Sequence, residues 1–288
     1  MTLADRTSIV VGVDGSQTSV EAALWAADLA HRMHVPLVIA HAVTDAAYFY
    51  TSAAVMVQYP LGESEREAAK ECLDPARDAV SAKYPDLPLS TWSQRAPADL
   101  ALLALSRKAQ MIVVGAHRNV SVDSLLLGST AARVANHSEC PVAVWRGHPG
   151  NGPVVVGVDG SPLSALAVER AFEFASAFGT GVRAVHAWAP GVAADLEQEE
   201  AEHEALLAES LAGWSEKYPD VPVERIIASV HAELSLPLYA AANARLVVVG
   251  SHGRGRASSL LLGSTSRHLI EHCPCPVLVC RSEIHDLA

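Results

Sequence analysis

The sequence predicts two tandem α/β domains, each an open parallel sheet of five strands with helices on both faces. Three observations predict it. The chain is one domain written twice: Val10-Val11-Gly12-Val13-Asp14-Gly15-Ser16 returns 145 positions later as Val155-Val156-Gly157-Val158-Asp159-Gly160-Ser161. Its apolar runs, such as Met111-Ile112-Val113-Val114 and Leu246-Val247-Val248-Val249, are short and uninterrupted, as expected of parallel strands covered on both faces. Those runs alternate with helix-forming stretches, which implies right-handed crossovers.

The repeat also fixes the limits of the units. His41-Ala42 returns as His186-Ala187 at the same offset, Lys83-Tyr84-Pro85-Asp86 returns as Lys217-Tyr218-Pro219-Asp220 after 134 positions, and Cys140-Pro141-Val142 returns as Cys275-Pro276-Val277 after 135. The first half therefore carries an insertion, placed near residues 45–62, where Tyr48, Phe49, Tyr50 and Tyr59 gather. The boundary falls in Gly147-His148-Pro149-Gly150-Asn151-Gly152-Pro153, whose Pro and Gly exclude regular structure. The expected domains are residues 1–147 and 152–288, each within the usual size of an independent domain.

Taken in order through the second half, Val154–Val158 reads as a strand. Ser161-Pro162 supplies an N-cap with proline in the first turn, opening a helix over Ala165–Ala177. A strand over Val182–Trp188, one long helix over Asp195–Tyr218 and a strand over Val223–Ala228 follow. A helix over Glu233–Asn243, a strand over Leu246–Gly250, a helix over Ser264–His272 and a strand over Val277–Cys280 complete the unit. The first half follows the same order.

Composition narrows the function. The formal net charge of −11 argues against nonspecific adhesion to nucleic acid or anionic membranes. There is no membrane-length apolar run and no basic-then-apolar start, so the expectation is a cytoplasmic protein. The five cysteines lack metal-ligand or thioredoxin-type spacing, and Cys273-Pro274-Cys275 reads as reduced, partly buried thiols.

The recurring residues fall at the carboxyl ends of strands, where open α/β sheets gather ligands. Gly250-Ser251-His252-Gly253 is followed nine residues later by Gly263-Ser264-Thr265; the first half has Gly115-Ala116-His117-Arg118, then Gly128-Ser129-Thr130. Each Gly-Ser-Thr opens a helix and would aim backbone N–H groups and hydroxyls at an anion such as a nucleotide phosphate. Glycine at 250 and 253 is expected to permit positive φ and close approach of phosphate. Asp14 and Asp159 follow the first strand and suit a ribose hydroxyl or, through water, a metal on the phosphates; the alternative is a helix-capping role. His252, Arg254 and Arg256 place candidate cations on the second loop, with Arg256 read as solvated surface. His41 and His186 read as core or supporting histidines rather than ligands.

Gly-x2-Gly-x9-Gly-Ser-Thr, with Val-Gly-Val-Asp-Gly-Ser at the start of a half and a Pro-Val strand at its end, resembles the universal stress protein family. The tandem arrangement, over roughly residues 8–146 and 153–282, is similar to the two-domain members found in actinobacteria. The resemblance implies a Rossmann-like or flavodoxin-like domain holding ATP, with or without Mg2+, at the carboxyl ends of the strands. It implies Asp159 near the ribose, the Ala187 backbone against adenine, Gly250 and Gly253 along the ribose and phosphate path, and Gly263, Ser264 and Thr265 on the phosphates. Asp14, Ala42, Gly115, Gly128, Ser129 and Thr130 are the matching set in the first half. Neither glycine loop carries a P-loop lysine, and no Gly-x-Ser-x-Gly elbow occurs. A nucleotide-dependent regulatory module is therefore favoured over an enzyme. The alternatives are a slow ATPase or autophosphorylating protein, with Ser251, Ser264 or Thr265 as acceptor, and a nucleotide-independent interaction scaffold. The apolar last strands, Pro141–Trp145 and Pro276–Cys280, are expected to pair as a pseudo-twofold within one chain. A homodimer and an unidentified regulatory protein are the remaining expected partners.

Overall fold

A computed structural model describes residues 7–44, 61–116, 128–147, 149–188, 196–228, 243–253 and 262–281. The aromatic insertion expected near 45–62 lies almost wholly outside the described residues, as do Arg118, Arg254, Arg256 and the helix expected over Glu233–Asn243 up to its last residue. The described chain forms two compact units, one ending at Val142 and one starting at Ala143.

The first half runs β1 (Ile9–Gly12), α1 (Gln17–Met33), β2 (Leu37–Val43), α2 (Glu63–Lys83), β3 (Leu89–Arg95), α3 (Ala98–Ser106), β4 (Met111–Gly115), α4 (Ser129–His137) and β5 (Val142–Trp145). The second runs β6 (Val154–Gly157), α5 (Pro162–Phe178), β7 (Val182–Ala187), α6 (Leu196–Ser210), α7 (Trp214–Lys217), β8 (Val223–Ala228), β9 (Leu246–Gly250), α8 (Ser264–His272) and β10 (Val277–Cys280). Strand order in the first half is β3-β2-β1-β4-β5, and in the second β8-β7-β6-β9-β10. The order reverses between β1 and β4 and between β6 and β9. Both pairs are parallel, with Val10 opposite Ile112 and Val155 opposite Val247.

Central strands are apolar on both faces because helices cover both: Val10, Val11, Ile112, Val113, Val155 and Val156 are fully buried. The outer strands β3 and β8 carry polar and charged residues, and Arg183 on β7 reaches across to Glu224 on β8 at 2.7 Å, which discourages edge-to-edge association. The capping prediction for α5 holds: the Ser161 side chain accepts the Ser164 N–H at 3.2 Å, and Pro162 occupies the first turn. In α1, Ser16 caps Ser19 in the same way. One expected element differs. The long helix over Asp195–Tyr218 is two helices, α6 and α7, because Gly213 takes a left-handed conformation at φ 78° and ends the first of them.

The described residues of the linker form no helix or strand, but they are not loose. Gly150 and Gly152 donate to the carbonyls of Ala244 and Asn243 at 2.9 and 2.8 Å, and a Cβ on Gly150 would lie 2.2 Å from the Asn243 carbonyl oxygen.

Candidate functional site

The site in each half begins with an Asp-Gly-Ser turn at the end of the first strand. Gly15 and Gly160 hold φ of 82° and 73°, so these are the glycines that need left-handed freedom. Asp14 Oδ1 and Asp159 Oδ1 accept the N–H of Ser16 and Ser161, at 3.0 and 2.9 Å. Helix capping itself is done by the serines, so each aspartate shapes the turn through one carboxylate oxygen.

A histidine from the neighbouring strand steadies each turn. The Val13 carbonyl accepts from His41 Nδ1 at 2.9 Å, and the Val158 carbonyl accepts from His186 Nδ1 at 2.6 Å. Both histidines thus act as supports, as expected, fixing the residue before the aspartate. In the second half the bond places the proton on Nδ1 and leaves Nε2 of His186 to accept from His203 Nδ1 on α6, 2.8 Å away. His203 stacks on Trp188, ring centroids 4.6 Å apart, beside Ala187. Nothing in the sequence signalled this pair: the residue matching His203 in the first half is the buried Ala69.

In the second half the described glycine loop, residues 250–253, lies beside the turn without the positive φ expected of it. Among the described residues, neither Gly250, Gly253 nor Gly263 has positive φ. Gly250 and Gly253 are constrained by contact instead, whereas a Cβ on Gly263 would find ordinary spacing, 3.4 Å from His252 Cα. A Cβ on Gly253 would stand 2.4 Å from Asp159 Oδ2, and one on Gly250 would stand 2.9 Å from Leu163 Cβ. The equivalent Gly115 is roomier, its nearest neighbour being Thr18 Cγ2 at 3.5 Å. Ser266 on α8 ties its hydroxyl to the Gly250 carbonyl at 2.7 Å, a bond that Ala131, its match on α4, cannot make.

Gly128 and Gly263 are the N-caps of α4 and α8, and neither has a side chain with which to cap. The helices begin with Ser129-Thr130 and Ser264-Thr265; in both, the serine is exposed and the threonine half-exposed. Each N-terminus therefore presents backbone N–H groups, two hydroxyls and the positive end of the helix dipole to the carboxyl edge of the sheet. Gly263 is held by its own N–H to the Ser251 carbonyl, at 2.7 Å. Ser251 is buried, with its hydroxyl 3.1 Å from His252 Nδ1, so it stands apart from the exposed hydroxyls at the helix start. Ala42 lies in β2 beside His41, and Ala187 is the last residue of β7; both are half-exposed. The described residues hold no group of three or more metal-ligating side chains, and no helix among them is long and apolar enough to cross a membrane.

Comparison with known proteins agrees with this architecture. Universal stress protein Rv2005c of Mycobacterium tuberculosis is 36% identical over 291 residues, spanning 95% of this chain and 96% of that protein. A universal stress protein of Mycolicibacterium smegmatis is 35% identical over 293 residues, with 95% and 96% covered. The crystal structure of a universal stress protein from Archaeoglobus fulgidus superposes with a TM-score of 0.67 at 18% identity, covering 99% of this chain and all of the other, which shows the shared fold. The sequence profile of the universal stress protein family matches residues 6–146 and again 150–281. The chain belongs to the universal stress protein family and carries two tandem copies of its domain.

Proposed function

We propose that the protein is a nucleotide-dependent regulatory module of the stress response, binding ATP at the carboxyl ends of the strands. The observation that carries this reading is the contrast between helix starts. Serine side chains cap α1 and α5, and Glu65 reaches back to the Gly62 N–H at the start of α2, whereas α4 and α8 start at bare glycines followed by Ser-Thr, an arrangement suited to an anion. The Asp159 carboxylate against the Gly253 backbone supplies an acceptor for a ribose hydroxyl next to that start. Ala187 offers its backbone to adenine, and Gly250, Gly253, Gly263, Ser264 and Thr265 line the path to the phosphates. Asp14, Ala42, Gly115, Gly128, Ser129 and Thr130 take the same parts in the first half. Mg2+ would enter with the phosphates, reached by the aspartate through water. With no lysine in either glycine loop, the nucleotide acts as a bound state-marker, turned over far below ordinary enzyme rates of roughly 1–1000 per second.

The discriminating variant is Gly263→Asp. A carboxylate at the N-cap would satisfy the helix start from within, leaving stability unchanged or raised by a few tenths of a kcal/mol, while repelling phosphate. Calorimetric ATP titration of the folded variant should show a loss of about tenfold or more at the second site. Unchanged affinity would defeat the anion-site reading.

The apolar last strands β5 and β10, which end their halves' strand order, support an intrachain pseudo-twofold in which these two edges cover one another. Residues 1–147 expressed alone should then self-associate through β5, and sedimentation showing a stable monomer would contradict the pairing.

A further inference from the structure

We propose that Cys273 and Cys275 are a redox site, joined reversibly by a hydroperoxide into a disulfide at the end of α8. The two sulfurs lie 3.5 Å apart in the turn between α8 and β10. Closing them to a bond of about 2.05 Å needs a shift within reach of side-chain rotation.

The first half supplies an internal control. Its matching turn has Ser138 and Cys140, with the hydroxyl 3.5 Å from the sulfur. In both halves the first of the two residues is the C-cap of its helix: the Ser138 N–H reaches the Val134 carbonyl at 2.9 Å, and the Cys273 N–H reaches that of Leu269 at 2.8 Å. The turn is the same, and the second half has exchanged oxygen for sulfur at the position that makes ring-closing oxidation possible.

The surroundings assign the roles. The contact between the two sulfurs, with Cys275 as the protonated partner, holds the Cys273 thiol below the usual range against the opposing effect of burial; the same contact and burial push Cys275 up. Arg146, within the second unit, donates through Nε to the Cys273 carbonyl at 3.1 Å, and through its other nitrogens to the carbonyls of Ile270 and Glu271. Its charge favours a thiolate at Cys273. Cys273 is therefore the nucleophile and Cys275 the resolving thiol. Cys280, fully buried and without a paired thiol, is pushed up to about 12 by burial and stays reduced.

The chemistry balances. The Cys273 thiolate attacks one oxygen of hydrogen peroxide and the O–O bond breaks; hydroxide leaves and becomes water on taking up a proton, giving a sulfenic acid. The Cys275 sulfur then attacks the Cys273 sulfur and loses its proton, and the hydroxyl departs with that proton as a second water. Two thiols and one peroxide give one disulfide and two waters, sulfur losing two electrons and peroxide gaining them. Both thiols are buried, so the oxidant enters when the last turn of α8 opens, an end-fraying motion of low cost.

The test uses the full chain, exposed to millimolar hydrogen peroxide under native conditions, quenched, then alkylated in denaturant and mapped by mass spectrometry. The expected result is a Cys273–Cys275 link that dithiothreitol reverses, with Cys140 and Cys280 still alkylated in the same molecules. Cys275→Ser should leave a dimedone-reactive sulfenic acid on Cys273. Cys273→Ser, which copies the Ser138 arrangement and keeps the fold, should abolish the link. The proposal is overturned if the pair stays reduced while the half-exposed Cys72 oxidises, if Cys280 oxidises at the same rate as the pair, or if dimedone labels Cys275 in Cys273→Ser with the speed expected of Cys273.

Discussion

The two halves share a fold yet secure the same helix contact by different physics. In the first, Tyr84 at the end of α2 donates its hydroxyl to Asp28 Oδ1 on α1 at 2.9 Å, and Arg32 holds Oδ2 at 2.9 Å. In the second, Tyr218 stands where Tyr84 does, and an aromatic group replaces the polar lock. Phe172, fully buried, stacks on Trp214 at 5.3 Å and meets Tyr218 at 5.8 Å. The residues that match Phe172 and Trp214 are Ala27 and Val80. The two halves share their strand ends while the contacts behind them differ, so a titratable pair secures one helix contact and aromatic packing secures the other.

The largest effect should come from Phe172→Ala, which installs the first half's residue in the second. It removes the centre of the stack and should cost about 3–5 kcal/mol, read as a lower urea midpoint for the second unit. A loss under about 1 kcal/mol would mean that the aromatic group is not what secures α5.

Next is the difference between the glycine loops. Gly253→Arg copies Arg118 into the second loop and forces Asp159 away from its position 2.4 Å from the new Cβ. On the proposed reading, ATP affinity at the second site should fall by about tenfold, near 1.4 kcal/mol, unless the guanidinium pairs with phosphate. Calorimetry of this variant beside Arg118→Gly ranks the two sites: the second, which keeps its glycine, should bind ATP more tightly, and a gain of affinity on inserting arginine would reverse that order.

The smallest effect is at the polar lock. Burial acts to raise the Asp28 carboxyl, but the hydrogen bonds from Arg32 and Tyr84 outweigh it and hold it below its ordinary value. The stability it contributes is therefore present above the unfolded-state pKa of about 4 and is lost as pH falls through the lower folded value. Tyr84→Phe should cost about 1 kcal/mol at neutral pH, and less in strong acid. Tyr218→Phe should show no such pH dependence, and parallel urea titrations across the acid range would expose any failure of this contrast.

The repeat made the strand ends legible, because Asp14 and Asp159, or Gly115 and Gly250, recur at the carboxyl ends of matching strands. What it could not reveal was what differs between the halves. His203 sits in Glu-Ala-Glu-His-Glu-Ala and looks like any residue on a solvated helix, yet it completes a hydrogen-bonded pair with His186. The glycines at 250 and 253 stood out in the repeat, but the positive φ expected of them is absent, since a one-letter pattern does not distinguish a left-handed φ from a missing Cβ. Gly213 was passed over inside a helix-compatible stretch, where a single left-handed residue ended α6. Cys273-Pro274-Cys275 read as reduced, buried thiols, and they are, but spacing says nothing about whether the two sulfurs face each other, as they do at 3.5 Å.

The uncapped starts of α4 and α8 carry a thermodynamic consequence. Without ligand, each gives up the stabilisation that Ser16 and Ser161 provide to α1 and α5. On the proposed reading, a ligand that returns it binds only the native state, and at a hundredfold excess over its Kd one site would add about 2.7 kcal/mol to the resistance against unfolding. The lifetime of the protein against proteases would then follow cellular nucleotide supply, so that its abundance in a starved cell becomes an energy gauge with no partner needed to read it.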